Sequence, residues 1–269
     1  MNPLVSIVIL NCNYPEMITN CLNTLAQTEG VEYETVVVDN GSEPATVEVL
    51  KQLQAQGKIT TLVLEPTNRF FSGGNNIGVK HTNPASTYIL LLNNDVAFLR
   101  PDWLTKMIAW MEGVPEYKPT IWGFHPTEPS PGPRDIVSIG WSYDENLPSR
   151  ARPEGWCVLI RRSFWVDLST DFAFHYGWEE AAAKMIRNGA KAGVLFNYAP
   201  YLVHREGGSR WTTTGRINDK RQPDVKRWFA GLATESLDFT LGKLEHETYI
   251  SWSYLIPLIN VMSIGSLLC

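Results

Sequence analysis

Ile89-Leu90-Leu91-Leu92-Asn93-Asn94-Asp95-Val96 is the stretch on which the fold of this chain turns. Apolar residues run without interruption from Ile89 to Leu92 and stop at a turn signal, the pattern of a strand buried on both faces of a parallel sheet. Asn93, Asn94 and Asp95 fall where that strand emerges. Open α/β sheets bind ligands beyond the carboxyl ends of their strands, so a lone carboxylate there is well placed to hold a metal. The plainer expectation is that Asp95 caps a turn before the helix that Pro101 and Asp102 begin.

Upstream, elements alternate. Val5 to Leu10 (VSIVIL) is a continuous β-branched run and hence a buried strand. Asn11-Cys12-Asn13-Tyr14-Pro15 ends it, and Met17 to Leu25 carries apolar residues at helical spacing. Thr35 to Val38 is a second buried strand that delivers Asp39 into the turn Asn40-Gly41-Ser42. Ser42, Glu43 and Pro44 open a helix that runs to about Gln56, with Val47, Leu50 and Leu53 on one face. Thr60 to Leu64 is a third strand and Ile89 to Leu92 a fourth. Strands alternating with helices predict a doubly wound, mostly parallel sheet.

Between the third and fourth strands lies Asn68-Arg69-Phe70-Phe71-Ser72-Gly73-Gly74-Asn75-Asn76-Ile77-Gly78. Its glycines permit close backbone approach, and its asparagines offer amides to a base, ribose or phosphate. It is not GxGxxG and does not follow the first strand, which disfavours a dinucleotide fold. Downstream, residues 126–155 are rich in proline, serine and glycine and read as a long irregular excursion. Trp156 to Ile160 resumes a strand, Arg161 to Val166 starts a short helix, and Glu179 to Asn188 is helical in composition. Arg161 and Arg162 read as a solvated face from which one guanidinium reaches phosphate or acceptor. Arg210 to Arg221 suits either a mobile lid or a simple exposed loop.

A chain of 269 residues and 30.3 kDa can bury one sizeable core with an appendage. A net charge of -5 and a pI near 5.6 give no reason to expect nucleic acid as a partner. Cys12, Cys21, Cys157 and Cys269 are scattered, with no CxxC pair, as expected of reduced thiols in the cytoplasm. Met1-Asn2-Pro3 leads into a strand without a basic signal-peptide region. From Thr248 to Cys269 there is no charged residue, and Tyr249 to Tyr254 is aromatic-rich. That tail fits packing on the domain, contact with a second subunit to form a homo-oligomer, peripheral contact with a membrane surface, or a bilayer crossing that its proline, asparagine, glycine and serines disfavour.

The motifs VSIVILNCN (5–13), VVVDNGS (36–42), NRFFSGGNNIG (68–78), LLNNDV (91–96), GWCVLIRRSF (155–164), GWEE (177–180) and HREGGS (204–209) occur in this order. In order and spacing the chain resembles the GT-A glycosyltransferases of family 2, in particular their rhamnosyltransferase-like branch. The resemblance implies a GT-A domain at 1–210, then a lid loop and carboxyl-terminal helical, apolar tail at 211–269. It implies an inverting transferase that moves a sugar from a UDP- or dTDP-linked donor to a saccharide or lipid-linked acceptor during surface glycan synthesis. The place of action would be the cytoplasm, at the inner face of the membrane. The alternative is a non-catalytic nucleotide-sugar-binding module.

Carried onto matching positions, the resemblance puts Asp39 at the nucleobase and Asn11 near ribose and base. Asn68, Asn76 and Asn94 lie near the nucleotide and sugar. Asp95 matches the last acid of the metal-binding DxD motif, and His204 the histidine that completes the shell around Mn²⁺ or Mg²⁺. Glu180 matches the general base that deprotonates the acceptor hydroxyl, with Glu179 as its rival. Each has a plainer counterpart: an Asx-turn for Asp39, a helix start for Glu179 and Glu180, a structural role for His204. The chain departs from the pattern at Asn93, which replaces the first acid of DxD. It departs also at Phe70, where many relatives have glycine, and at Ala182, where many have a further acid.

Overall fold

The structure is a computed structural model that describes residues 3–113, 120–122, 136–141, 153–170, 178, 181–182, 185, 191–195 and 200–204. The carboxyl-terminal tail, the expected lid with its boundary at 210, and Glu179 and Glu180 lie outside the described residues.

The strands β1 (Leu4–Asn11), β2 (Glu32–Asn40), β3 (Thr61–Glu65) and β4 (Tyr88–Asn93) form where the apolar runs demand them. They pair in parallel in the order β3-β2-β1-β4, linked by the helices α1 (Pro15–Leu25), α2 (Pro44–Ala55) and α3 (Phe70–Lys80). Pro15 and Pro44 stand in the first turn of α1 and α2, where a missing N–H costs no helical hydrogen bond. After β4 come β5 (Val96–Phe98), α4 (Trp103–Met111), β6 (Thr120–Trp122), β7 (Ile136–Trp141), β8 (Cys157–Arg161), β9 (Lys191–Leu195) and β10 (Leu202–His204). Among the described residues the main sheet has eight strands, in the order β3-β2-β1-β4-β8-β7-β9-β6. Its β7–β9 pairing is parallel, whereas β4–β8, β7–β8 and β6–β9 are antiparallel. A separate two-stranded ribbon joins β5 to β10.

Side chains alternate between two apolar layers, as the period of a strand requires. Val5, Ile7 and Ile9 of β1 pack with Tyr88, Leu90 and Leu92 of β4 under α1, α2 and α4. Val8, Ile89 and Leu91 face the other way, toward Val79 of α3 and a helical stripe of Trp178, Ala181, Ala182 and Met185. Ala182 therefore lies in the core at 1% exposure, so an acid there would meet aliphatic side chains rather than a ligand.

The glycine-rich stretch at 68–78 is mostly helix, and the close backbone approach its glycines permit is made to the sheet, onto which they bring α3. A Cβ on Gly78 would stand 2.4 Å from Val8 Cγ1, and one on Gly74 would stand 2.2 Å from Leu10 Cδ1. The supposedly irregular excursion at 126–155 contains β7, a fully buried strand inside the sheet.

Candidate functional site

The chain order β1-β2-β3 runs outward on one side of β1 and β4 lies on the other, so the strand order reverses between β1 and β4. Beyond the carboxyl ends at such a reversal the connections diverge and leave a crevice. Polar residues collect there. Asn94 Nδ2 donates to Asn11 Oδ1 at 2.8 Å, spanning the reversal, and Asn11 Nδ2 donates to Asp39 Oδ1 at 3.2 Å. Ser42 donates to Asp39 twice, from its hydroxyl to Oδ1 and from its backbone N–H to Oδ2 at 3.1 Å. Asn11, Asp39 and Asn94 are buried, at 0, 1 and 6% exposure, so the three form one satisfied network rather than separate exposed contacts.

A second cluster rims it. Asn68 Oδ1 accepts from Asn40 Nδ2 at 2.8 Å and from the Phe70 N–H at 2.7 Å, while Asn68 Nδ2 reaches Cys12 Sγ at 3.7 Å. Asn40 Nδ2 also donates to the Phe70 carbonyl at 3.3 Å. Phe70 thus holds a left-handed backbone, φ 60, clamped at both its N–H and its C=O. That is the conformation glycine adopts without strain, which gives a physical sense to the glycine of the resembled family. Asn13 and Tyr14 are also left-handed, at φ 58 and 53, so unusual backbone gathers around this end of the sheet. Burial, and then the charge of Asp39, push the Cys12 thiol up, leaving it protonated and a poor nucleophile.

Asp95 lies just past β4, and β10 returns antiparallel beside β5 with His204 opposite Val96. The result is that Asp95 Oδ1 and His204 Nε2 face each other at 3.2 Å, both side chains only 4% exposed. The Trp156 indole lies flat on the His204 ring, with centroids 4.4 Å apart and an interplanar angle of 13°. Burial, and then Asp95, push up the neighbouring thiol of Cys21, which points at the Asn93 carbonyl.

The donor set fits a divalent cation. Asp95 Oδ1 is buried without a well-aligned hydrogen-bond donor among the described residues, as a ligand oxygen would be. Two cis ligands of an octahedral ion, each bound at about 2.1 Å, lie about 3.0 Å apart, close to the separation here. Among the described residues no third histidine, cysteine or acid joins them.

Other expected residues sit elsewhere. Asn76 spends both amide groups on the backbone of Leu168, donating to its carbonyl and accepting from its N–H, each at 2.8 Å. Arg161 and Arg162 lie at the opposite end of β4, since β8 pairs Arg161 with Tyr88 and Cys157 with Leu92. Arg161 bonds Glu112 and the Ile136 carbonyl, and Arg162 bonds Ser86 and Thr82. Neither guanidinium reaches the crevice. Asn40, Ser42 and Trp156 belong to it, although in sequence they read only as turn, helix opener and strand start. The hint is their position: Asn40 ends β2, Ser42 lies two residues past it, and Trp156 directly precedes β8, all at the same edge.

The class of protein that emerges is a Rossmann-like α/β fold of the GT-A type, with its polar crevice at the switch point. Residues 6–128 match the family described as glycosyl transferase family 2. The chain is 28% identical over 114 residues to the glycosyltransferase AglE of Haloferax volcanii, covering 42% of this chain and 36% of that one. It spans less than half the length of each of the curated relatives it matches. Its fold is similar to the mannosyltransferase PcManGT from Pyrobaculum calidifontis, solved in complex with GDP-Man and Mn²⁺, at 13% identity and TM-score 0.58 over 100% of this chain and 82% of that one. It is also similar to S. aureus TarS residues 1–349 in complex with UDP, at 15% identity and TM-score 0.53 over 74% of this chain and 59% of that one.

Proposed function

We propose that this chain is a metal-dependent, inverting glycosyltransferase that uses a UDP- or dTDP-linked sugar. Its acceptor is a saccharide or a lipid-linked saccharide, in surface glycan synthesis on the inner face of the membrane. The observation that carries this is the Asp95–His204 pair, buried at the carboxyl edge of the sheet beside the Asn11–Asp39–Asn94 network. The family match over residues 6–128 supports the transferase class, and the motif order supports the rhamnosyltransferase-like branch as the narrower reading.

Asp95 and His204 would hold the divalent cation. When bound, it neutralises the charge that develops on the departing nucleoside diphosphate, and the imidazole tilts the choice toward Mn²⁺. The chain's own groups do the rest. The buried network between β1, β2 and β4 fixes the Asp39 carboxylate and the Asn11 and Asn94 amides before ligand arrives, so little ordering is left for binding to accomplish. Asp39 and Asn11 orient the base and ribose, and Asn68 with Phe70 borders the nucleotide. Glu180, with Glu179 as its rival, takes the proton of the acceptor hydroxyl, a contribution worth roughly 10²–10⁴-fold. The acceptor oxygen forms its bond to the anomeric carbon as the bond to the diphosphate oxygen breaks, with inversion.

A non-catalytic binding module loses one of its motives, because Ala182 is a core residue and not a missing acid of the site. Thermal-shift screening of a nucleotide-sugar panel with and without Mn²⁺, followed by a donor-hydrolysis assay, tests the proposal. Stabilisation by UDP- or dTDP-sugars that requires the metal, followed by turnover, is expected. Stabilisation without turnover would mean a binding module.

A further inference from the structure

We infer that Trp156 is a positioning residue that sets the His204 imidazole in its metal-binding orientation; this rests on the reading of Asp95 and His204 as a cation site. His204 and Asp95 come from distant parts of the chain, and backbone pairing alone brings them side by side. That pairing places the His204 backbone opposite Val96 but does not by itself set the orientation of the ring about its side-chain bonds. A buried ring lying 4.4 Å from another at 13° is not free to turn about them, because rotation out of the plane would drive its edge into the indole.

Trp156 is itself tied to the other half of the pair. Its carbonyl accepts the Asn93 N–H at 2.8 Å, at the strand end that carries Asp95 two residues later. Its side chain is 4% exposed, within the main apolar layer. One residue is thus keyed through its backbone to the strand that delivers the carboxylate, and through its ring to the imidazole. Outer groups that orient a metal-ligating histidine typically change metal affinity by about 10–100-fold when removed. Because the imidazole is what favours Mn²⁺ over Mg²⁺, losing its orientation should reduce Mn²⁺ affinity more than Mg²⁺ affinity.

The test measures Mn²⁺ binding to the full chain by electron paramagnetic resonance of the free ion, with Mg²⁺ as competitor. The proteins are wild type, Asp95→Asn, His204→Ala, Trp156→Leu, Trp156→Met, Trp156→Phe and the double variant His204→Ala with Trp156→Leu. Trp156→Leu is expected to weaken Mn²⁺ binding by about tenfold or more and to shrink the Mn²⁺-over-Mg²⁺ preference. Trp156→Phe, which keeps a stacking ring, is expected to restore most of both. In a His204→Ala background Trp156→Leu is expected to add nothing, since the two act through one interaction. Should Trp156→Leu fail to fold, Trp156→Met carries the same comparison. Unchanged Mn²⁺ affinity in Asp95→Asn would overturn the cation site itself. Loss in Asp95→Asn with an unchanged preference in Trp156→Leu or Trp156→Met would leave the site standing and overturn the role of Trp156.

Discussion

Asp95 Oδ1 and His204 Nε2 face each other at 3.2 Å in a buried setting, though they come from distant parts of the chain. A carboxylate and an imidazole held so close form either a structural contact within the protein or two ligands of one cation, and the two cases respond differently to substitution. If they are ligands, Asp95→Asn abolishes metal-dependent nucleotide binding and His204→Ala weakens it. Calorimetry of UDP or dTDP binding, with and without Mn²⁺, reads this directly. Equal Mn²⁺ dependence in wild type and Asp95→Asn would assign the pair to structure.

Replacing Glu180 by glutamine keeps its shape and removes the proton acceptor. Donor binding is expected to survive while kcat falls by at least about 100-fold. If Glu179→Gln is the dead enzyme and Glu180→Gln turns over normally, the base is the neighbouring residue. Steady-state kinetics of both variants decide between them.

Gly78 is a point of close approach of α3 to the sheet. An added methyl would stand 2.4 Å from Val8 Cγ1 and 3.0 Å from Val38 Cγ2, and both valines are fully buried. Gly78→Ala is expected to cost about 1–3 kcal/mol through overpacking and to lower Tm by several degrees. Thermal unfolding followed by circular dichroism checks it. A variant as stable as wild type would mean that α3 can lift off the sheet without loss.

Tyr88 donates its phenolic proton to Glu112 at the far end of β4. Burial first, and then Glu112, push its pKa up from 10.0 to about 12. The folded state therefore holds this proton more tightly than the unfolded chain, so the associated stability is present below pH 10 and is lost as pH rises toward 12. Urea midpoints measured across that range should fall more steeply for wild type than for Tyr88→Phe. Parallel slopes would show that the phenol titrates alike in both states.

What the residues determined locally was the amino-terminal half of the fold and the position of its acids. Apolar runs bounded by turn signals mark β1 to β4, and the helix openings at Pro15 and Pro44 follow from the fixed φ of proline. Asp39 and Asp95 were legible because Asp39 directly follows such a run and Asp95 lies three residues past the end of another, and parallel strands deliver their carboxyl ends to one edge. Tertiary structure decided the rest. Ser138 and Gly140 interrupt the apolar run of β7 within a proline-rich region, and only pairing with β8 and β9 makes it a strand. The glycines of α3 promised a close backbone approach, but whether that bare backbone meets a ligand or a valine depends on what packs against it. Asn76 has the same chemistry as Asn94, yet one faces Leu168 and the other Asn11. The Asp95–His204–Trp156 cluster joins β10, the start of β8 and the end of β4 through non-local pairing, and periodicity, which reports only the neighbours along a single strand or helix, carries no information about such partners.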